Sequence, residues 1–188
     1  MKYLLILLIA IALIFNACGP SEQERAQQEQ RQMQMQMQLV ETSPEFNEQM
    51  AGVLDRYFEL KDALVESNAE NASLKAEALV SEAESVDALH LNQETTALWI
   101  SYSEIITNSG SEMIPLEDVD DQRYHFEAVS EAMIAMVETF RPVGYAIFHQ
   151  SCPMVRGGSA DWLSREEQIA NPYHGDRMMR CGEVIRRI

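Results

Sequence analysis

The residues of this sequence best suited to chemistry are sulfur and imidazole side chains near its C-terminus. Two cysteines stand there, each close to methionine and each a few residues after a histidine. Thiolate, thioether and imidazole groups together favour Cu(I) or another soft ion over magnesium and calcium, which prefer oxygen. We therefore predict a soft-metal site with Cu(I) as the first candidate. The predicted ligands are two thiolates, flanking thioethers and an auxiliary imidazole, drawn from Cys152, Met154, Cys181, Met178, Met179, His149 and His174.

The same two cysteines also allow a disulfide. In an oxidising compartment, cysteines that lie close in space usually join. Closing a loop of roughly 30 residues between Cys152 and Cys181 would add ~3.6 kcal/mol in the chain-entropy model. The alternative is therefore a disulfide-stapled interaction module that docks on an envelope partner and binds no metal. Convergence of methionine sulfurs and a ring nitrogen on the thiols would favour metal, whereas paired cysteines with the methionines turned into separate core pockets would favour the module.

Sequence signatures of common enzyme sites are missing. There is no zinc-protease helix with paired histidines, no glycine-rich phosphate cradle and no Gly-x-Ser-x-Gly elbow. A nucleophile made of Cys152 and His149 would need an orienting Asn or Asp, and none stands at a recognisable spacing. We expect no catalytic activity.

The N-terminal residues have the pattern of an export signal. Lys2 precedes an apolar run over residues 3–15, which is shorter than the ~20 residues that a helix needs to cross a bilayer. The following Ala17-Cys18 junction resembles the lipobox of bacterial lipoproteins, in which the cysteine is lipidated and becomes the mature N-terminus. We predict a signal peptide over residues 1–17 and an envelope protein held to the membrane by a lipid on Cys18 alone. The protein would face the periplasm or the cell surface.

Charge and composition narrow the class further. The net charge of −16 argues against nucleic-acid binding and against basic patches for anionic lipid. The C-terminal stretch over residues 141–188 differs, with seven arginines against five carboxylates. A Gln- and Met-rich stretch over residues 18–44 is predicted to be a disordered tether, because it has too few branched and aromatic residues to form a core. Its thioethers could capture Cu(I), but a polar spacer is the simpler interpretation for Met33, Met35 and Met37.

Apolar residues at helical spacing predict four amphipathic helices between residues 45 and 140. Asn108-Ser109-Gly110 is expected to end the third helix, and Arg141-Pro142 the fourth. We predict an all-α domain over residues 45–188, an antiparallel four-helix bundle with an ordered, coil-rich C-terminal hook anchored by Trp162 and Tyr173. Only residues 143–148 have the β-branched and aromatic content of a short extended piece. The expected helices span residues 45–66, 69–89, 92–108 and 118–140.

Several motifs carry a family resemblance from about Val53 to Val184. They are the helical stretches YFELKDALV and DQRYHFEAVS, followed by CPM, ADWLS, NPYHG and M-x-CGEV. Together they resemble the DUF3347-type bacterial envelope domains, which occur alone or fused to periplasmic adaptor subunits of heavy-metal efflux pumps. The resemblance implies metal handling in the bacterial cell envelope. We therefore expect buffering of the metal or its transfer to an efflux system, with an efflux adaptor or another envelope protein as partner.

Overall fold

The computed structural model describes residues 42–188 except His90 and Gly157, and its first two thirds are helical. The described residues form one compact unit. Consecutive helices pack on one another, which confirms the predicted helical bundle. Among these residues no helix has the length and apolar character to span a membrane. The helices are α1 (Pro44–Val65), α2 (Ala69–Glu84), α3 (Gln93–Met113) and α4 (Val119–Phe140).

Polar caps explain where the four helices begin. Each is preceded by a Ser, Asn or Asp whose side-chain oxygen accepts a hydrogen bond from a backbone N–H of the first turn. These side chains satisfy donors that the helix itself leaves unpaired. All four starts lie within one residue of the predicted ones. The caps are Ser43, Asn68, Asn92 and Asp118.

Two predicted helix ends need correction. α3 continues through Gly110 to Met113, because the glycine is buried against α2 and not exposed in a turn. A Cβ atom at Gly110 would lie 2.8 Å from Cγ2 of Val80, so glycine here permits close packing of two helices. α2 ends at Glu84 and not near Leu89, which is 88% exposed and contributes nothing to the core.

The prediction of an all-α domain with a coil-rich hook is wrong. The C-terminal segment forms a three-stranded antiparallel sheet, so the domain is α+β. The strands are β1 (Phe148–Val155), β2 (Gly158–Ser164) and β3 (Glu183–Arg187), in the order β2-β1-β3. β2 packs on α4, and a 3₁₀ turn at Gly175–Arg177 lies in the connection to β3.

Buried polar residues explain why the sequence pattern did not predict these strands. Gln150 and Ser151 of β1 are buried, so the strand lacks the alternation of apolar and polar residues that marks a half-buried strand. The side-chain nitrogen of Gln150 donates to the carbonyl oxygens of Glu166 and Glu167, at 2.9 and 3.0 Å. The expected anchors are confirmed, since Trp162 and Tyr173 are buried and their rings meet edge to face.

Candidate functional site

The two C-terminal cysteines lie in contact at the sheet. Cys152 stands in the central strand β1, and Cys181 stands two residues before β3. Their Sγ atoms are 3.5 Å apart, and both are free thiols. Cys152 is 0% exposed, whereas Cys181 is half-buried. The structure therefore brings together the thiol pair on which both sequence interpretations depend, with one sulfur reachable from solvent.

Three local features hold Cys181 against β1. The Asn171 side-chain amide donates to the Cys181 carbonyl at 2.8 Å, and the Cys181 N–H donates to the Met178 carbonyl at 2.9 Å. Gly182 has φ +142°, and a Cβ there would lie 2.7 Å from the carbonyl oxygen of Ser151. The segment can approach β1 this closely because residue 182 has no side chain.

His149 faces away from the thiols. Over residues 148–152, β1 pairs with β2 in unbroken register, so His149 and Cys152, three positions apart, project from opposite faces. The His149 Nε2 atom lies 2.7 Å from Asp161 Oδ2 on its own face. Asp161 is thus an orienting carboxylate that the sequence spacing did not reveal. The pair it forms with His149 is directed away from Cys152.

The second predicted imidazole is bonded to backbone. His174 Nε2 donates to the carbonyl oxygen of Met154 at 3.1 Å, which ties the 3₁₀ turn region to the end of β1. The Met154 side chain is 61% exposed. Met178 and Met179 are half-buried and immediately precede the Cys181 segment.

No larger ligand cluster surrounds the thiols. Across residues 42–188, leaving aside positions 90 and 157, no group of three or more His, Cys, Asp or Glu side chains is arranged to hold a metal ion. The cysteines are therefore the two strong soft ligands that the structure brings together. Any further protein ligand from the predicted set would have to be a thioether or a rearranged imidazole.

The contact with Cys152 favours the protonated form of the Cys181 thiol. The hydrogen bond with Cys152 raises the pKa of the Cys181 thiol above its ordinary value, and partial burial and charge interaction with Cys152 act in the same direction. The thiolate is the form that binds metal or attacks a disulfide. Metal binding by these thiols would therefore release protons, and it would strengthen as pH rises.

Sequence reasoning missed the residue that attaches the C-terminal segment to the helices. Arg123 of α4 is buried and donates to the carbonyl oxygens of Pro172 and Leu64, at 2.7 and 2.8 Å. Its guanidinium also donates to Ser67 Oγ at 2.9 Å. One side chain thus fixes the NPYHG segment to the bundle. Arg123 lies inside the stretch DQRYHFEAVS, which carries the family resemblance, and this was the one sequence signal for it. Helical periodicity does not predict that its side chain attaches another segment.

The predicted N-terminal features lie outside the described residues. These are the signal peptide over residues 1–17, the lipidation site at Cys18 and the tether methionines Met33, Met35 and Met37.

Comparison with known families finds a match, and it covers most of the helical part of this domain. The model of the DUF3347 family, described as a protein of unknown function, matches residues 53–143. Over that region the chain matches the DUF3347 model, which confirms the predicted resemblance there. The match contains Arg123 and ends before Cys152 and Cys181. No curated protein and no solved structure matches the chain.

Proposed function

We propose that this domain binds a soft metal ion, with Cu(I) as the first candidate, through Cys152 and Cys181. The observation that carries the proposal is the separation of 3.5 Å between two free thiols. Two thiolates bound tetrahedrally to one ion at ~2.3 Å have sulfurs ~3.8 Å apart. A disulfide requires ~2.05 Å between the sulfurs. The two sulfurs are therefore not bonded to each other, and they are near enough to bind one ion together after a small shift.

The small number of strong ligands favours a soft ion of low coordination number. Structural zinc almost always has four protein ligands, and Cys152 and Cys181 supply two. Thioethers add soft ligands for Cu(I), and Met178 or Met179 is the nearest in sequence to Cys181. Met154 and His174 would bind the same ion only after the hydrogen bond between the His174 ring and the Met154 carbonyl broke. His149 would have to leave Asp161 and turn to the other face of the sheet.

The cellular setting belongs to the same proposal. A lipid on Cys18 would hold the domain at the bacterial envelope, as the Ala17-Cys18 junction indicates. There it would buffer the metal or pass it to an efflux system, with a heavy-metal efflux adaptor or another envelope protein as partner. This part is supported by the N-terminal pattern and by the setting in which DUF3347-type domains are expected.

A disulfide-stapled interaction module is the second candidate. It is favoured by the exposed side chain of Met154 and by the orientation of His149 toward Asp161, because neither converges on the thiols. Oxidation would join β1 to the segment before β3 and add ~3.6 kcal/mol in the chain-entropy model. In that form the domain would dock on an envelope partner without metal.

Competition for Cu(I) distinguishes the two candidates. The chain from residue 18 onward, with Cys18→Ser, is reduced and titrated anaerobically against a chromophoric Cu(I) chelator. The proposal expects uptake of about one Cu(I) per chain, abolished by combining Cys152→Ser with Cys181→Ser. His149→Gln is the matched control in the same sheet and should retain uptake. A second control replaces Met33, Met35 and Met37 by Leu and should also retain it.

Two results of this titration would contradict the proposed site. If the reduced chain competes no better than its double serine variant, metal binding by this pair is refuted. The oxidised form, with the two sulfurs joined, would then be the functional one. If the tether variant alone loses uptake, the metal site lies in the tether and not at the sheet.

A further inference from the structure

One cavity is lined by two arginines whose side chains make no hydrogen bond or ion pair with the described residues. Among the described residues, the side chain of every lysine and arginine makes a hydrogen bond or ion pair except three. In a chain with 30 acidic and 14 basic residues, unpaired cations are unexpected. Arg141 and Arg187 are two of these three, and both border the same cavity. The third, Arg156, lies elsewhere.

The cavity itself is apolar. It lies between the end of α4, the segment that follows, and the end of β3, with a volume of about 280 Å³. Val137, Val143, Ile147 and Ile188 supply its apolar wall, and no Asp or Glu side chain of the described residues lines it. The two guanidinium groups are therefore the charged side chains at this largely apolar cavity.

The backbone conformation of Arg141 is a second observation that favours a functional site at this cavity. This residue has φ +48° and ψ +56°, the left-handed conformation, and its N–H caps α4 by donating to the Val137 carbonyl. Pro142 follows and excludes its predecessor from the right-handed helical region. Glycine adopts the left-handed conformation without steric cost and is the usual residue at such a helix end. An arginine here is strained, and strained residues cluster at functional sites.

We propose that this cavity binds a small amphipathic anion, a carboxylate or phosphate monoester that carries a short alkyl chain. Guanidinium groups form paired, charge-assisted hydrogen bonds with both kinds of head group. The alkyl chain would lie on the apolar wall. The volume is close to the lower end of the ~300–1,000 Å³ range of small-molecule pockets, which suits a short chain. This site uses neither cysteine and is independent of the proposed metal binding.

Calorimetric titration of the chain from residue 18 onward, with Cys18→Ser, tests the site with defined probes. Octanoate and octyl phosphate represent the two head groups, octanol lacks the charge and acetate lacks the chain. At least one of the two octyl anions should bind about tenfold more tightly than octanol and acetate. The comparison between octanoate and octyl phosphate identifies which head group the site prefers. Equal binding of octanol, or equal binding of acetate, would overturn the proposal.

Arginine variants tie the binding to this cavity. Arg141→Gln and Arg187→Gln should each weaken binding of the preferred anion about tenfold, whereas Arg156→Gln, the third unpaired arginine, should leave it unchanged. Arg141→Gly separates binding from stability. It should raise the thermal midpoint of the free protein by relieving backbone strain, and it should weaken binding as Arg141→Gln does. Wild-type affinity in the Arg141 and Arg187 variants would refute the proposal.

Discussion

The hydroxyl of Tyr57 in α1 accepts a hydrogen bond from the backbone N–H of Leu163 in β2, over 3.0 Å and 106 positions of sequence. The same hydroxyl lies 2.8 Å from Ser130 Oγ in α4. Burial raises the pKa of Tyr57 well above its ordinary value, although both hydrogen bonds act in the opposite direction. A neutral, buried phenol therefore joins the helical DUF3347 region to the sheet that carries the thiol pair.

Tyr57→Phe should destabilise the domain by ~1–3 kcal/mol, because it leaves the buried N–H of Leu163 without its acceptor. Urea unfolding followed by circular dichroism measures the loss. Tyr102→Phe is the matched control, since its hydroxyl bonds Thr139 in a partly exposed place and its removal should cost less. An equal decrease in the free energy of unfolding in the two variants would show that the hydrogen bond from β2 to Tyr57 contributes no more to stability than the partly exposed one at Tyr102.

Alkylation should distinguish the two thiols. Because Cys152 is fully buried and Cys181 is not, iodoacetamide should modify Cys181 first in the reduced chain with Cys18→Ser. Mass spectrometry of timed samples identifies the modified residue. The hydrogen bond with Cys152 is the first cause of the raised pKa of Cys181. Cys152→Ala should therefore shift the pH midpoint of the alkylation rate downward, and an unchanged midpoint would contradict the contact.

Gly182→Ala should separate the two sulfurs. The added Cβ would lie 2.7 Å from the Ser151 carbonyl, at a φ of +142° that disfavours any side chain. The strain is of the order of 1–3 kcal/mol, and relief of it would push the Cys181 segment off β1. We expect weaker Cu(I) competition and slower disulfide formation. Gly144→Ala is the control, because a Cβ there meets nothing within 4 Å, and it should behave as wild type.

Asp120 should contribute to stability at neutral pH and not in acid. Hydrogen bonding by Arg177, and after it by Arg123, lowers the pKa of the Asp120 carboxyl against the effect of burial. Since an unfolded Asp titrates near ~3.9, the contribution is complete above that pH and disappears as pH falls through the lower folded pKa. Asp120→Asn should cost ~0.5–1 kcal/mol at pH 7, discounted for partial exposure.

The same variant should match wild type once the pH lies below the folded pKa of Asp120. Urea unfolding at pH 7 and in acid gives both values. Asp121→Asn removes an exposed charge from the same first turn of α4 without breaking a described hydrogen bond or ion pair, so it controls for the interaction with the helix N-terminus and should cost less at pH 7. A cost for Asp120→Asn that persists undiminished in acid would contradict the ion pairs.

Local patterns were enough to predict the helices. Helix starts depend on one capping side chain and on apolar spacing over a few turns, so all four were found within one residue. The ends were harder to predict, because Gly110 has the residue type of a stop and the environment of a helix contact. The pairing of Cys152 with Cys181 was also accessible, since few cysteines were available and both stood in one C-terminal segment.

The sequence by itself determined the four helical segments, the DUF3347 resemblance of residues 53–143 and the choice of the two cysteines as the centre of the site. Only the tertiary structure decided that the C-terminal segment is a sheet and that His149 faces away from the thiols. The physical reason is the range of the interactions. Caps and helical periodicity act within a few residues, whereas the side-chain nitrogen of Gln150 and the guanidinium of Arg123 donate to carbonyls 16 to 59 positions away.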